Sequence, residues 1–223
     1  MRQFLIIILL IQGLHPLLAA DSPLTKIPKA EGRLIMNITL DQYLNGPKEL
    51  EINLGKSRGF SFMFMGETKL AGQHVKLGWG LGLNSHNVRH NSFIVYNADK
   101  SKTNFSPIAD SVDYDKNKLS LNYFTHALEL RFATNANKKD HKFFLHTGLM
   151  GGFLIQSHTK FKDDDGKTKE HRIRNLNKYQ YGPYARLGYA NIACYGYYSL
   201  VEVFKADKGP SLTPMSFGVS LVF

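Results

Sequence analysis

The residues of this chain that could do chemistry are a few histidines, hydroxyls and carboxylates at the ends of alternating segments. Ser85-His86-Asn87, followed by His90, and Ser157-His158 stand where such segments give way to polar stretches. A hydroxyl with an imidazole is the start of a hydrolytic or acyl-transfer set, provided that the base reaches the hydroxyl and a third group orients it. Neighbouring residues of an extended segment point to opposite faces, so neither Ser-His pair shares a face; the two would have to stand two residues apart. His126 beside Thr125 has the same fault of parity. Solvated loop histidines are the simpler reading of these positions.

Asp163-Asp164-Asp165-Gly166 suggests calcium, but the spacing fails. With Asp163, Asp165 and Gly166 at the third, fifth and sixth positions of an EF-hand loop, Phe161 falls first and Arg172 last, where carboxylates are required. An acidic turn fits better. No metal and no cofactor is expected. The basic run that follows, Lys167, Lys169, His171, Arg172, Arg174 and Lys178, suits the phosphates of lipopolysaccharide. Cys194, the single cysteine, cannot form an intrachain disulfide and is expected to pack as a small inward residue beside Gly196.

The segments that would position these residues alternate with period 2. Val75, Leu77, Trp79, Leu81 and Leu83 oppose Lys76, Gly78, Gly80, Gly82 and Asn84; Phe60, Phe62 and Phe64 oppose Ser61, Met63, Met65 and Glu67; Phe143, Leu145, Leu149, Phe153 and Ile155 are expected outward, with Lys142, His146, Gly148, Met150, Gly152 and Gln156 inward. A soluble core strand rarely spends a whole face on glycine and lysine, whereas a narrow barrel needs small inward residues to make room for large ones opposite. Eight such segments are expected, near 33–42, 58–68, 73–86, 119–134, 141–156, 178–190, 192–204 and 212–223. The connections alternate in length. Residues 43–57, 87–118, 157–177 and 205–211 form the long set; residues 69–72, residues 135–140 and the turn at Asn191 form the short one. That rhythm belongs to an eight-stranded antiparallel transmembrane β-barrel of up-and-down topology, with long outer loops and short periplasmic turns.

The two ends of the chain agree with this. Residues 1–20 combine Arg2, an apolar run from Phe4 to Ile11 and the small residues Ala19-Ala20, the pattern of a signal peptide, leaving residues 21–223 as one barrel domain. The closing strand sets Met215, Phe217, Val219, Leu221 and Phe223 against Ser216, Gly218 and Ser220. Ser216, Gly218, Leu221 and the terminal Phe223 resemble the signal read by the barrel assembly machinery during insertion. The net charge is +10, and +9 once Arg2 leaves with the leader. In an exported chain such charge points to outer-membrane lipids and lipopolysaccharide and not to nucleic acid.

Inside the barrel, Arg33, Glu67, Lys76, Glu129, Arg131, Arg186 and Glu202 are expected to form a lumen charge network, with Glu129 and Glu202 bridged by arginines. Eight strands enclose little more than their own side chains, so a plugged lumen is expected, with a narrow channel as the alternative.

Several segments together resemble the PorT-like outer-membrane β-barrel family: Leu81-Gly82-Leu83-Asn84-Ser85, the Lys118 to Arg131 strand after its long insert, Gly148-Leu149-Met150-Gly151-Gly152, Tyr181-Gly182-Pro183-Tyr184-Ala185-Arg186-Leu187-Gly188-Tyr189 and the closing Phe223. The resemblance covers nearly all the mature chain and carries no catalytic signature. It implies an eight-stranded barrel in the bacterial outer membrane and a possible secretion-system or surface protein partner. The function expected is a structural, assembly or secretion-associated component working through its loops. A lipid-modifying deacylase or acyltransferase is the enzymatic alternative.

Overall fold

The computed structural model describes residues 33–71, 74–138 and 141–223. The leader expected at residues 1–20 lies outside the described residues. In chain order the strands are β1 (Arg33–Leu44), β2 (Arg58–Ala71), β3 (Val75–Arg89), β4 (Ser92–Tyr96), β5 (Thr103–Pro107), β6 (Lys116–Ala133), β7 (Phe143–Asp163), β8 (Gly166–His171), β9 (Tyr179–Tyr189), β10 (Ile192–Tyr198) and β11 (Thr213–Val222). Eight of them close a ring: β1, β2, β3, β6, β7, β9, β10 and β11 pair antiparallel in that order, and β11 returns to β1. The eight-stranded barrel expected from the alternation is the fold. No helix among the described residues is long and apolar enough to cross a membrane.

The ring turns its apolar side chains outward. Phe64, Trp79, Leu81, Leu128, Leu149, Leu187 and Val219 are exposed, which is tolerable only if the surrounding solvent is lipid. The belt has edges. Leu83, Phe124, Phe153 and Tyr179 share one register row near the outer end, and Val75, Phe132, Leu145 and Leu187 share another near the periplasmic end. From Phe124 to Phe132 the strand rises about 26 Å at ~3.3 Å per residue, or about 20 Å of height at the usual tilt. Above the belt Asn122 donates to Gln156 at 2.9 Å. From there outward β6, β7 and β8 stand clear of the hydrocarbon.

Glycines on β3 make room inside. A Cβ on Gly80 would lie 2.3 Å from Met65 Sδ, and one on Gly78 would lie 2.6 Å from Arg131 Nε. The large inward side chains of neighbouring strands occupy that space.

The outer connections are more structured than their polarity suggests. Residues 87–118 carry the β4–β5 hairpin, and β7 continues past the belt to turn at Asp164-Asp165 into β8. The acidic stretch is therefore a hairpin turn: Asp163 Oδ1 accepts the Gly166 N–H at 3.0 Å, and Gly166 adopts φ 150°. Among the described residues no group of three or more His, Cys, Asp or Glu could hold a metal.

Four expectations are corrected. The seventh barrel strand stops at Tyr198 and not at 204, because the Ser199 hydroxyl bonds to Val201 O and turns the chain into the outer loop. Glu202 consequently leaves the lumen; it is exposed and bonded to the Ser211 hydroxyl. Cys194 faces outward, since on β10 the lumen takes Ala193, Tyr195 and Tyr197. Gln156 faces outward as well, because a bulge opposite Asn122 and Tyr123 reverses the parity of β7 beyond Ile155.

Candidate functional site

The lumen is filled in three layers. Nearest the periplasm, Glu129 on β6 is the hub of an ion network. Its Oε1 accepts from Arg131 Nε at 2.6 Å and its Oε2 from Arg186 Nη1 at 2.6 Å, while the Tyr184 hydroxyl donates to Oε2 at 2.5 Å. Arg131 Nη1 reaches across to Glu67 Oε2 at 2.7 Å, and Lys76 pairs with the other Glu67 oxygen. The Arg186 guanidinium lies over the rings of Tyr184 and Tyr195, 4.8 and 5.4 Å from their centroids. His146 Nδ1 stands 3.6 Å from Glu129 Oε1. Buried charges of both signs persist in such a place when each is paired and hydrogen-bonded.

Of the expected network, Glu67, Lys76, Glu129, Arg131 and Arg186 come together here; Glu202 does not. Arg33 opens β1, and its side chain lies outside the described residues. Tyr184 and His146 join the cluster although sequence reasoning gave them no part in it; their inward parity was the available signal. Beneath the layer a pit of about 400 Å³ opens to the periplasmic end, lined by Glu67, Lys76, Arg131 and His146 among others.

The second layer is polar. Asp41 on β1 accepts from Ser216 Oγ at 2.7 Å and from Thr39 Oγ1 at 2.8 Å. His86 Nδ1 lies 3.4 Å from Asp41 Oδ2 and 3.3 Å from Ser216 Oγ, and Asn37 donates to Ser61 at 2.7 Å beside them. His86 was expected in a solvated loop. Because β3 runs on to Arg89, His86 keeps the inward parity of Asn84 and is 4% exposed.

Asp, His and Ser in contact invite a catalytic reading, and the geometry opposes it. A hydrolytic triad uses both imidazole nitrogens, one facing the carboxylate and the other the nucleophile. Here Asp41 and Ser216 crowd the same nitrogen, Asn84 Nδ2 meets His86 Nε2 at 3.1 Å, and the serine proton goes to the aspartate. The other candidates lie apart. Ser157 Oγ accepts the Ile173 N–H at 3.0 Å, His158 packs beside His171 outside the barrel, and His126 faces lipid over Gly151.

The third layer is apolar and comes largely from the loops. Ile173, Leu176, Val203, Phe204 and Leu212 pack onto Tyr43, Val88, Leu119, Leu121 and Tyr123 at the outer end of the strands. Amides stitch the loops together. Asn117 donates to the carbonyls of His90 and Ser92 at 2.9 and 2.7 Å, Asn177 to those of Glu202 and Phe204 at 2.8 and 2.7 Å, and Asn175 to Thr103 Oγ1 at 3.0 Å. His90 is buried under this cap, and burial pushes its imidazole down to about 4.

The closing strand adds two tight fits. Ser216 serves Asp41 as above, and a Cβ on Gly218 would come within 2.1 Å of Ile38 O. Leu221 pairs with Met36 and Ile192, and Phe223 is exposed, joined to Leu34 by backbone hydrogen bonds of 2.8 and 3.2 Å.

No curated protein matches the chain. Among solved structures it is similar to the crystal structure of Ail, the attachment invasion locus protein of Yersinia pestis, in complex with the heparin analogue sucrose octasulfate. That likeness is 13% in sequence, with a TM-score of 0.33, over 87% of this chain and 99% of that one, and it carries no argument about activity. The model of the outer membrane protein beta-barrel domain matches residues 34–205. That stretch runs from the second residue of β1 through the whole of β10, and the chain belongs to the outer membrane protein beta-barrel domain family.

Proposed function

We propose that this outer-membrane barrel does not conduct and that it presents a stiff platform of outer loops to a partner outside the cell, as a structural, assembly or secretion-associated component. The observation that carries the reading is the cap: the connections after β8 and β10 bury Ile173, Leu176, Val203, Phe204 and Leu212 in the mouth, and Asn175 and Asn177 tie the first of them to Thr103 and to Glu202 and Phe204. Loops ordered in this way pay little entropy on docking. A PorT-like role beside a secretion system, contact with outer-membrane lipids and lipopolysaccharide, and recognition of Ser216, Gly218, Leu221 and Phe223 by the barrel assembly machinery belong to the same proposal.

Planar-bilayer recording of the purified barrel tests the plug, and steady, sizeable conductance sinks it. A photo-crosslinking residue at Lys100, between β4 and β5, should capture a discrete partner in cells, whereas the same residue at Lys142, at the periplasmic end, should not capture that partner. No adduct specific to Lys100 removes the platform. The competing reading is a lipid-modifying enzyme, which the crowding of Asp41 and Ser216 on one His86 nitrogen opposes. Turnover of lipid A or phospholipid by the pure protein, abolished by His86→Ala, would establish it.

A further inference from the structure

We propose that the outward face of β3, β6, β7 and β8, above the apolar belt, binds the phosphorylated saccharide of an outer-leaflet glycolipid. The inference deepens the lipid contact proposed above and rests on the barrel standing in the outer membrane. Register carries it. Arg89 pairs with Lys118, Lys118 with Lys160 and Lys160 with Lys169, so four cations stand in one cross-strand row. Directly paired residues share a face, and neighbouring strands lie about 4.8 Å apart, so the row spans about 14 Å. A second row farther out holds Lys116, Lys162 and Lys167, and a row nearer the belt holds His158 and His171.

Like charges directly opposite one another destabilise a sheet. The fold does little to relieve them. In the outer row Lys162 pairs with Asp115, but among the described residues no carboxylate forms an ion pair with Arg89, Lys118, Lys160 or Lys169. Lys118 donates instead to the neutral Asn87 side chain. Burial, and then the positive charges of Lys116, Lys160, Arg89 and Lys169, bring the Lys118 ammonium down to about 8. A surface with this arrangement is completed by anions from outside.

Position chooses among the anions. From Phe124 to Lys118 the strand rises about 20 Å at ~3.3 Å per residue, or about 15 Å of height at the usual tilt. The headgroup layer of a phospholipid leaflet is only about 5 to 7 Å thick. The row therefore stands above phospholipid phosphates, at the level of the sugars that a glycolipid raises over the bilayer. It also lies on the side continuous with the lipid-facing belt. The opposite face of the β7 extension is covered, Phe161 packing on Phe93 and Tyr114.

The test uses the full barrel in phosphatidylcholine vesicles containing dansyl-labelled lipopolysaccharide, with or without its phosphates. Trp79, the single tryptophan, is lipid-exposed on β3 and serves as the energy donor. Expected is transfer at a lower mole fraction of the phosphorylated glycolipid, weakened by salt. Lys118→Gln/Lys160→Gln/Lys169→Gln should raise the midpoint about tenfold or more. Lys160→Gln/Lys169→Gln, which leaves the Lys118–Asn87 bond in place, should give an intermediate shift. Lys48→Gln/Lys100→Gln/Lys208→Gln, with the same loss of charge on exposed loop positions elsewhere, should leave the midpoint unchanged. Insertion with no preference for phosphate, an equal effect of the control variant, or full competition by a soluble sulfated polysaccharide overturns this inference alone. A barrel that fails to insert overturns the membrane reading with it.

Discussion

The two ends of the lumen are filled by opposite means. Toward the periplasm Glu67, Lys76, Glu129, Arg131 and Arg186 hold one another by charge on the rigid wall of the barrel. Toward the outside, loop residues such as Phe204 and Leu212 fill the mouth with apolar volume and tie themselves down by neutral amide bonds. The first arrangement depends on every partner being present, because one missing charge strands the rest in a low dielectric. The second depends on volume and on the order of the loops, and it can open locally while the barrel stays closed. The difference predicts which perturbations unfold the wall and which only loosen the cap.

The largest effect should come from Glu129→Ala, which leaves Arg131 without one partner and Arg186 without its carboxylate. A loss of about 3 to 5 kcal/mol is expected in the unfolding free energy of the vesicle-embedded barrel, measured by urea titration. Replacing Glu129, Arg131 and Arg186 together by apolar residues of similar volume should cost much less, since no charge is then stranded. If the triple replacement is as damaging as the single one, the contrast between the two ends fails.

Phe204→Ala attacks the other end. It removes a ring that is 1% exposed and packed against Phe105, at a cost of about 3 kcal/mol. That loss should appear in hydrogen exchange of the outer-loop amides and leave exchange of the β3 and β6 amides near Glu129 unchanged. A global shift would mean that cap and wall unfold as one unit.

Acid separates the regions without mutation. The buried His90 imidazole, at about 4 in the folded protein, lies below the ~6.5 of an exposed histidine, so the unfolded or opened cap binds the extra proton. The stability this group contributes is complete above pH 6.5 and is lost as the pH falls toward 4, by up to about 3 kcal/mol. Protection of the amides around His90, Ser92 and Asn117 should fall between pH 7 and pH 4.5, and His90→Phe should flatten the change. Unaltered protection across that range would place the proton acceptor elsewhere.

Alternation made the wall legible in the sequence and left the cap hidden. Period 2 is enforced wherever one face meets lipid and the other a crowded lumen, so Glu67, Lys76, Glu129, Arg131 and Arg186 could be placed by parity alone. The same logic misplaced Gln156, where a bulge inserts one residue, and Cys194, where small residues were assumed to face inward although the lumen there takes Tyr195 and Tyr197. Glu202 was lost because a serine turn ends β10 at a point that no apolar pattern marks. The cap has no period at all. Phe204 and Leu212 meet Ile173 and Leu176 through loops that come together only once the barrel has brought their strand ends side by side.

The smallest effect tests whether hydrogen bonds or apolar volume hold the cap. Asn177 gives both protons of its amide to carbonyls of one neighbouring loop, Glu202 O and Phe204 O, while its own N–H donates to Val203 O at 2.9 Å. Asn177→Ala leaves the backbone bond and the apolar cluster intact and removes only the two side-chain bonds. Each is worth about 0.5 to 1.5 kcal/mol net, and the exposed Glu202 can turn its carbonyl to water, so a loss of about 1 to 2 kcal/mol is expected, local to the cap. Asn177→Asp keeps the shape but offers an acceptor where a donor is required, and it should be worse than alanine. If both variants are silent in hydrogen exchange, packing alone closes the mouth. If both exceed the effect of Phe204→Ala, the two ends of the lumen are held by polar contacts alike, and the opposition between them disappears.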